Sequence, residues 1–261
     1  MKILVTNDDG IFAEGLWTLV KELRNIAQVA VVAPDREQSA VGTAVSLRQP
    51  LRVQSIRPPV PEVEAYSVEG TPADSVILAL SKLIETKIDV VVSGTNQGSN
   101  LGDDVLISGT VSGALQGYLR GLPAIAISVG TADGLYLNNA AKLAALLVKK
   151  IHSNSSPANI FLNVNLPDSP LAEIRGVKIT RPARYSHIDT VEEGNHSKWK
   201  HYWLVRQQRN KATDKKTDIW AIDQGYISIT PLLTNSYNKP SLSINDSFCS
   251  DLYRELQQYQ H

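Results

Sequence analysis

The chain has 261 residues, of which 26 are basic and 26 are acidic, so its formal net charge is zero. Hydrophobic residues make up 43% and charged residues 20%, which is typical of a soluble globular protein. The zero net charge argues against a surface that binds polyanions over its whole extent. The single cysteine, Cys249, excludes an internal disulfide framework and a cysteine-rich zinc module. The first residues lack a signal-peptide pattern and no apolar run approaches the roughly 20 residues that cross a bilayer, so we expect a cytoplasmic protein without a membrane partner.

Buried strands and amphipathic helices alternate through the first 165 residues. The predicted strands are Lys2–Thr6, Gln28–Ala33, Ile88–Ser93, Ala124–Val129 and Ile160–Val164. The predicted helices are residues 13–26, residues 72 to about 85, residues 109 to about 120, and residues 140–151. This alternation predicts an α/β fold, with a mostly parallel sheet that has helices on both faces.

The rest of the chain departs from this alternation. Residues 45–68 predict two further strands, and residues 174–231 predict a β-rich arm with a clear strand at its end. Residues 246–258 have the pattern of a C-terminal helix. No linker separates two domains, so we interpret residues 1–261 as a single α/β domain that carries the β-rich arm and the C-terminal helix.

Charge is unevenly distributed along the chain. Residues 1–110 hold 9 basic and 14 acidic residues, whereas residues 194–216 hold 7 basic residues and 1 acidic residue. The basic segment also carries Trp199, Tyr202 and Trp203, which would let it stack on bases as an RNA-binding module. The alternative is a solvated arm, and because the N-terminal half is acidic we expect no stable nucleic-acid complex.

Three polar loops follow predicted strands of the parallel sheet. They are Asn7-Asp8-Asp9-Gly10, residues 35–39 and residues 94–100. In an open α/β sheet, ligands bind outside the carboxyl ends of the strands, beside the point where the strand order reverses. These loops are therefore the first place to look for a functional site.

The adjacent carboxylates Asp8 and Asp9 are the sharpest feature of these loops. At an effective dielectric constant of about 20, two carboxylates roughly 4 Å apart repel each other by about 4 kcal/mol. Either a cation holds them together, or they form a turn that caps the next helix and binds nothing. Together with Ser39 and Asn96 they would offer only oxygen ligands, which suit one Mg²⁺ or Mn²⁺ ion better than zinc.

An anion site is indicated at Ser108-Gly109-Thr110, where a helix is predicted to begin. Free backbone N–H groups and the helix dipole attract anions there, and the two hydroxyl groups add donors. The alternative is a Ser N-cap without a ligand. The sequence contains neither the Gly-Lys-Ser/Thr of a P-loop nor a Gly-rich dinucleotide motif after the first strand. A divalent metal beside an anion-binding helix start favours phosphate-ester chemistry.

The ordered motifs of residues 1–232 resemble the SurE survival-protein family. They are Asn7-Asp8-Asp9-Gly10, Ala33-Pro34-Asp35-Arg36 with Ser39, Gly70-Thr71-Pro72-Ala73-Asp74, residues 92–105, Ser108-Gly109-Thr110-Val111, Thr217-Asp218 and residues 225–232. The resemblance implies a Rossmann-like fold, with a β-hairpin arm and a C-terminal helix that assemble dimers or tetramers. It also implies a metal-dependent phosphatase that hydrolyses nucleoside 5′(3′)-monophosphates and, in some members, short polyphosphate.

The resemblance also assigns roles to individual residues. It implies that Asp8, Asp9, Ser39 and Asn96 are the metal ligands, and that the family holds phosphate at the Ser108-Gly109-Thr110 motif. Our hypothesis is that Asp8 and Asp9 are catalytic because they hold the metal that activates a water, and that Asn96 also faces the phosphate. Two alternatives stay open: one of the two aspartates is a nucleophile that forms an aspartyl-phosphate, or the protein senses nucleotides or phosphate without turnover.

Overall fold

The computed structural model describes residues 1–130, 136–153, 160–184, 188–196, 199–206 and 213–232. The predicted C-terminal helix at residues 246–258 lies outside these ranges. Residues 1–231 form one compact unit. The interpretation of residues 1–261 as a single domain stays a prediction.

Helices and strands alternate largely as the sequence predicts. The strands are β1 (Lys2–Thr6), β2 (Gln28–Pro34), β3 (Val53–Ser55), β4 (Glu64–Val68), β5 (Val90–Gln97), β6 (Ala124–Val129), β7 (Phe161–Leu166), β8 (Val177–Ile179), β9 (Ile188–His196), β10 (Trp199–Arg206) and β11 (Ile227–Pro231). The helices are α1 (Glu14–Arg24), α2 (Pro72–Leu78), α3 (Gly109–Tyr118), α4 (Leu137–Ser153) and α5 (Asp218–Asp223). A π-helical turn at Ala79–Leu83 prolongs α2, and short 3₁₀ helices lie at Gly102–Leu106 and Leu171–Glu173.

Nine strands form one mixed sheet in the order β3-β4-β2-β1-β5-β6-β7-β11-β8. The six strands from β4 to β7 are parallel, whereas β3 is antiparallel to β4 and β11 is antiparallel to β7. If these six strands are numbered 1 to 6 along the chain, their order across the sheet is 3-2-1-4-5-6, which is the Rossmann order. The point where the strand order reverses lies between β1 and β5. A separate antiparallel hairpin joins β9 to β10. The predicted Rossmann-like fold with an added antiparallel strand pair is confirmed.

Each face of the sheet is covered by a pair of helices. Alternate residues of β1 belong to different clusters: Ile3 and Val5 pack with apolar side chains of α1 and α4, and Leu4 packs with those of α2. Helix α3 lies on the same face as α2, close to the sheet. A Cβ at Gly113 or Gly117 would approach Thr6 and Val91 to within 2.8 and 2.5 Å respectively, so these glycines permit the close contact. This packing points the start of α3 at the carboxyl ends of β1 and β5.

The structure differs from the sequence expectation at β5 and α5. Strand β5 continues past Ser93 to Gln97, because one extra residue bulges between Ser93 and Asn96 relative to β6. Gly94 makes the bulge feasible, since its φ is +133° and an added Cβ would lie 2.3 Å from the carbonyl oxygen of Ile127. Helix α5 was not predicted: it is six residues long and is capped by Thr217 within the region assigned to the β-rich arm.

Candidate active site

The loop after β1 turns sharply at the two aspartates. The side-chain amide of Asn7 donates to the carbonyl oxygen of Gly10 at 3.0 Å, and Gly10 has a φ of +97°. An added Cβ at Gly10 would lie 3.0 Å from the carbonyl carbon of Arg36, so the loop after β1 passes close to the loop after β2. The sharp turn needed for both aspartates to face one region is therefore present.

Asp8 lies against the start of α3 and is only 5% exposed. Its Oδ1 accepts a hydrogen bond from the hydroxyl of Thr110 at 2.5 Å. A Cβ at Gly109 would lie 2.7 Å from the Cβ of Asp8, so only glycine fits between the helix start and this carboxylate. Burial raises the pKa of Asp8, and the hydrogen bond from Thr110 opposes that rise.

Asp9 carries an unsatisfied buried oxygen. Its Oδ2 is buried without a hydrogen-bond partner among the described residues. Burial raises the pKa of Asp9 to about 7, and the neighbouring negative charge of Asp8 adds to the rise. A buried carboxylate oxygen that lacks a donor is the kind of ligand that a cation would satisfy.

Ser39 and Asn96 lie near the two aspartates. The Ser39 hydroxyl donates to Glu37 at 2.6 Å, which leaves its oxygen lone pairs available. The Asn96 amide nitrogen donates to the carbonyl oxygen of Gly98 at 2.7 Å, so its Oδ1 remains the acceptor. Asn96 lies at the end of β5 rather than in a free loop, and the bulge determines where its side chain is placed.

A polar cavity of about 100 Å³ brings most of the predicted site residues together. Its walls are formed by Asp8, Ser39, Ala40, Asn96, Gln97, Gly98, Ser99, Asn100, Asp104, Ile107 and Ser108. Asp9 instead lines an adjoining, more open cavity that shares Ser39 and Gln97 with the first. Gly109 and Thr110 lie behind the cavity wall, against Asp8.

The donor set suits a hard divalent cation better than zinc. Within the ranges that the structure covers, no three His, Cys, Asp or Glu side chains are close enough together to hold a metal. The set is instead two carboxylates, one hydroxyl and one amide, and it includes the unsatisfied Oδ2 of Asp9. Magnesium and manganese accept such oxygen ligands, with water completing the coordination. The residues that are present therefore fit the predicted ion.

The start of α3 presents hydrogen-bond donors to the cavity. Ser108 is the N-cap residue, and its hydroxyl oxygen accepts the backbone N–H of Val111 at 3.1 Å. The backbone N–H groups of the first two helical residues, Gly109 and Thr110, have no carbonyl partner within the helix, and that of Thr110 bonds the carboxylate of Asp8 instead. The N-cap role and the predicted anion site are thus compatible, because capping uses the oxygen of Ser108 and leaves its proton free to donate.

An asparagine network that reaches the cavity through Asn100 was not predicted. The Asn100 side chain donates to Ser128 at 2.9 Å and to Thr110 at 3.4 Å. The backbone carbonyl oxygen of Asn100 accepts from the side-chain amides of Asn163 at 2.8 Å and Asn165 at 3.1 Å. The available signal was two asparagines at alternate positions of the otherwise apolar strand β7, because buried polar groups need partners.

Asp218 holds the cavity loop from the far side. This fully buried residue at the start of α5 accepts hydrogen bonds from the backbone N–H groups of Gly102, Ala183 and Ile219 at 2.8 to 2.9 Å. Burial raises the pKa of its carboxyl group, against the effect of these donors. The sequence motif Thr217-Asp218 therefore has a structural role, because it ties the start of α5 to the loop around Gly102.

Comparisons with known proteins agree with the sequence motifs. Residues 3–189 match the family model described as survival protein SurE. The chain is 52% identical over 249 residues to a Dehalococcoides mccartyi (strain CBDB1) protein named 5′-nucleotidase SurE, covering 95% of this chain and 94% of that one. It is 45% identical over 233 residues to a Legionella pneumophila (strain Paris) protein of the same name, with 89% and 90% covered. The crystal structure of the Sure protein from Aquifex aeolicus matches with a TM-score of 0.77 at 33% identity, covering 98% of this chain and 100% of that one. Among the described residues, no helix is long and apolar enough to span a membrane.

Proposed function

The chain belongs to the SurE family, and we propose that it is a divalent-metal-dependent phosphatase that hydrolyses nucleoside 5′(3′)-monophosphates to nucleoside and phosphate. The names of the D. mccartyi and L. pneumophila relatives support the nucleotide as substrate. The observation that carries the proposal is the contact between Asp8 and the start of α3, beside the unsatisfied carboxylate oxygen of Asp9. Short polyphosphate is a second candidate substrate, because the cavity walls are polar and a terminal phosphoryl group is the shared feature.

Asp8, Asp9, Ser39 and Asn96 would hold one Mg²⁺ or Mn²⁺ ion. When bound, the ion supplies positive charge to a phosphoryl oxygen and lowers the pKa of a coordinated water. Asp8 is held in one orientation by the Thr110 hydroxyl and by the close approach of Gly109. The aspartates are catalytic in the sense that their carboxylates place the charge that the reaction needs.

The start of α3 would hold the phosphoryl group. The hydroxyl proton of Ser108 and the N–H of Gly109 would donate to an anion, and the helix dipole would add to the attraction. Thr110 would act through Asp8, because its backbone N–H and its hydroxyl both bond that carboxylate. Asn96 lines the same cavity, and its amide group would contact another phosphoryl oxygen. In the reaction, a water oxygen bonds to phosphorus, the ester P–O bond breaks, and the leaving nucleoside oxygen takes up a proton.

The direct attack of water is favoured over an aspartyl-phosphate intermediate. Asp8 is 5% exposed and its carboxylate already accepts a hydrogen bond from Thr110, so it is poorly placed for attack on phosphorus. Asp9 is more accessible, and its role is tested by acid quench during turnover followed by mass spectrometry. A phosphorylated Asp9 peptide would establish the covalent route instead.

The deciding assay is phosphate release from a panel of nucleoside 5′- and 3′-monophosphates with Mn²⁺, Mg²⁺ or EDTA. We expect release with either ion and none with EDTA. Binding of nucleotides without any release of phosphate would favour a sensor. The same panel, extended with tripolyphosphate, tests the second substrate class.

We also propose that the protein is a homodimer or homotetramer assembled through the β9–β10 hairpin. Tyr202, Trp203 and Leu204 are consecutive residues of β10, and each is more than half exposed. Successive strand residues point to opposite faces, so both faces of the hairpin expose large apolar side chains. A second copy of the chain would cover this surface, as the resemblance to the family implies.

A further inference from the structure

A second, larger cavity opens at the same edge of the sheet. It has a volume of about 450 Å³ and is lined by Phe12, Asp35, Gln54, Ile56 and Glu69, among others. Asp35 directly follows the last residue of β2, and Glu69 directly follows the last residue of β4. The cavity therefore lies at the carboxyl ends of parallel strands, on the other side of β1 from the cavity that Asp8 lines.

Phe12 forms a wall of this cavity with its ring largely exposed. The side chain is 76% exposed, although burying a phenylalanine stabilises a protein by about 2 kcal/mol. Another cavity, of about 360 Å³, is lined by Phe12 and Ile56 together with Trp17 and Pro58. The Phe12 side chain thus stands between two concave spaces, where a flat ligand could stack on its ring.

Asp35 contributes a carboxylate to the same cavity as Phe12, and its side chain is 28% exposed. Its backbone N–H donates to the carbonyl oxygen of Val68 at 2.8 Å, which fixes the residue at the end of β2. One carboxylate oxygen of Asp35 is buried without a hydrogen-bond partner among the described residues. The other lies 3.6 Å from the guanidinium group of Arg36.

The new cavity and the phosphate site lie along one pair of loops. The N–H of Gln38 donates to the carbonyl oxygen of Asp8, and the N–H of Ile11 donates to that of Pro34, both at 2.7 Å. The loops after β1 and β2 therefore run side by side between the two cavities. Phe12 is four positions after Asp8, so their Cα atoms are at most about 14 Å apart. A nucleotide whose phosphate lies beside Asp8 could place its base near Phe12.

We propose that this cavity is the nucleoside subsite, in which the base stacks on Phe12 and a ribose hydroxyl donates to Asp35. The inference rests on the proposed nucleotidase function and specifies how the enzyme selects nucleotides from other phosphate esters. Stacking on Phe12 tolerates any base, because every base has a flat aromatic face. The hydrogen bond to Asp35 favours ribonucleotides over 2′-deoxyribonucleotides.

The first experiment compares kcat/KM for adenosine 5′-monophosphate with kcat/KM for glycerol phosphate, which has no nucleoside. We expect Phe12→Leu to lower this ratio about tenfold or more. Phe12→Tyr should keep the ratio close to the wild-type value, because tyrosine retains the flat ring. Leu171→Ala, which truncates another exposed apolar side chain, should leave both rates unchanged. An unchanged ratio in Phe12→Leu would overturn the stacking role.

The second experiment tests Asp35 with the same assay. We expect the wild type to prefer adenosine 5′-monophosphate to its 2′-deoxy analogue, and Asp35→Ala to reduce that preference severalfold. A preference that survives in Asp35→Ala assigns the ribose contact elsewhere and overturns this part of the proposal. Titration calorimetry with adenosine alone separates the two levels of the inference. If adenosine binds and Phe12→Leu weakens that binding, but no phosphate ester is hydrolysed, the proposed reaction fails while the nucleoside subsite stands. If adenosine does not bind and Phe12→Leu leaves the kcat/KM ratio unchanged, the subsite fails.

Discussion

The carboxylate of Asp218 accepts a hydrogen bond from the backbone N–H of Gly102 at 2.8 Å, across 116 positions of sequence. The same carboxylate accepts the N–H groups of Ala183 and Ile219. Leu101, Ala183 and Ile219 also form a small apolar cluster around this point. The loop that carries Asn100 and Ser108 to the candidate site is thus held by the last part of the Rossmann-like unit.

Replacing Asp218 by alanine should therefore destabilise the protein. Three buried N–H groups would lose their acceptor, which we expect to lower the free energy of unfolding by about 3 kcal/mol or more. Urea denaturation followed by circular dichroism measures the change. Asp223→Ala removes an exposed carboxylate from the end of the same helix and should change stability by less than about 0.5 kcal/mol. Equal effects of the two variants would contradict the structural role of Asp218.

The sequence predicted the elements whose signals are local. Strand β1 was predicted with its bounds, because a short apolar run ends at Asn7-Asp8-Asp9-Gly10. The place of Asn96 was predicted less well, since the bulge that keeps it in β5 depends on contacts of Gly94 with the neighbouring strand. The partner of Asp218 could not be predicted at all, because nothing local indicates a contact 116 residues away.

The hydrogen bond from Thr110 to Asp8 should be needed for turnover. Thr110→Val keeps the shape of the side chain but removes the donor, and a hydrogen bond to a charged group contributes about 1.5–3 kcal/mol. We expect kcat/KM for nucleoside monophosphates to fall about tenfold or more, because Asp8 loses its fixed orientation. Thr110→Ser retains the hydroxyl and should keep most of the activity. If the valine variant is as active as the serine variant, this hydrogen bond does not position Asp8.

Asp9→Asn should reduce turnover by about 100-fold or more, the size of effect seen when one electrostatic contact to a transition state is removed. The carboxamide keeps the size of the side chain but offers the cation no negative charge. Steady-state kinetics with saturating Mn²⁺, together with calorimetric titration of Mn²⁺, measures both consequences. Asp168→Asn changes an exposed carboxylate and serves as the control. Wild-type turnover in Asp9→Asn would exclude Asp9 as a metal ligand.

The raised pKa of Asp9 predicts a pH dependence for the stability of the metal-free protein. Its pKa is about 7 in the folded chain and about 3.9 in an unfolded one, so the folded state binds more protons between these values. Stability due to this group is therefore greatest below about pH 4 and is lost as the pH rises through 7. In EDTA, Asp9→Asn should nearly match the wild type at pH 4, gain a growing advantage as the pH rises from 4 to 7, and melt at a clearly higher temperature at pH 8. Saturating Mn²⁺ at pH 8 should reverse that order, because only the wild type supplies the second carboxylate. Differential scanning calorimetry measures the Tm of both proteins in EDTA at each pH and with Mn²⁺ at pH 8. A constant difference between the variants across this range would show that Asp9 titrates as an ordinary carboxylate.

Assembly through the β9–β10 hairpin should be sensitive to charge. The side chains of Trp203 and Leu204 are 67% and 72% exposed, and they point to opposite faces of the hairpin. A glutamate at either position would have to lose its hydration on entering an apolar interface, so the double variant Trp203→Glu/Leu204→Glu should shift the molar mass in solution toward the monomer. Ile179→Glu makes the same kind of change at an 81% exposed position of β8 and should leave the mass of the assembly unchanged. Sedimentation equilibrium measures all three proteins. A double variant with the wild-type mass would place the interface between copies away from the hairpin, because two buried glutamates could not be accommodated there without a partner charge.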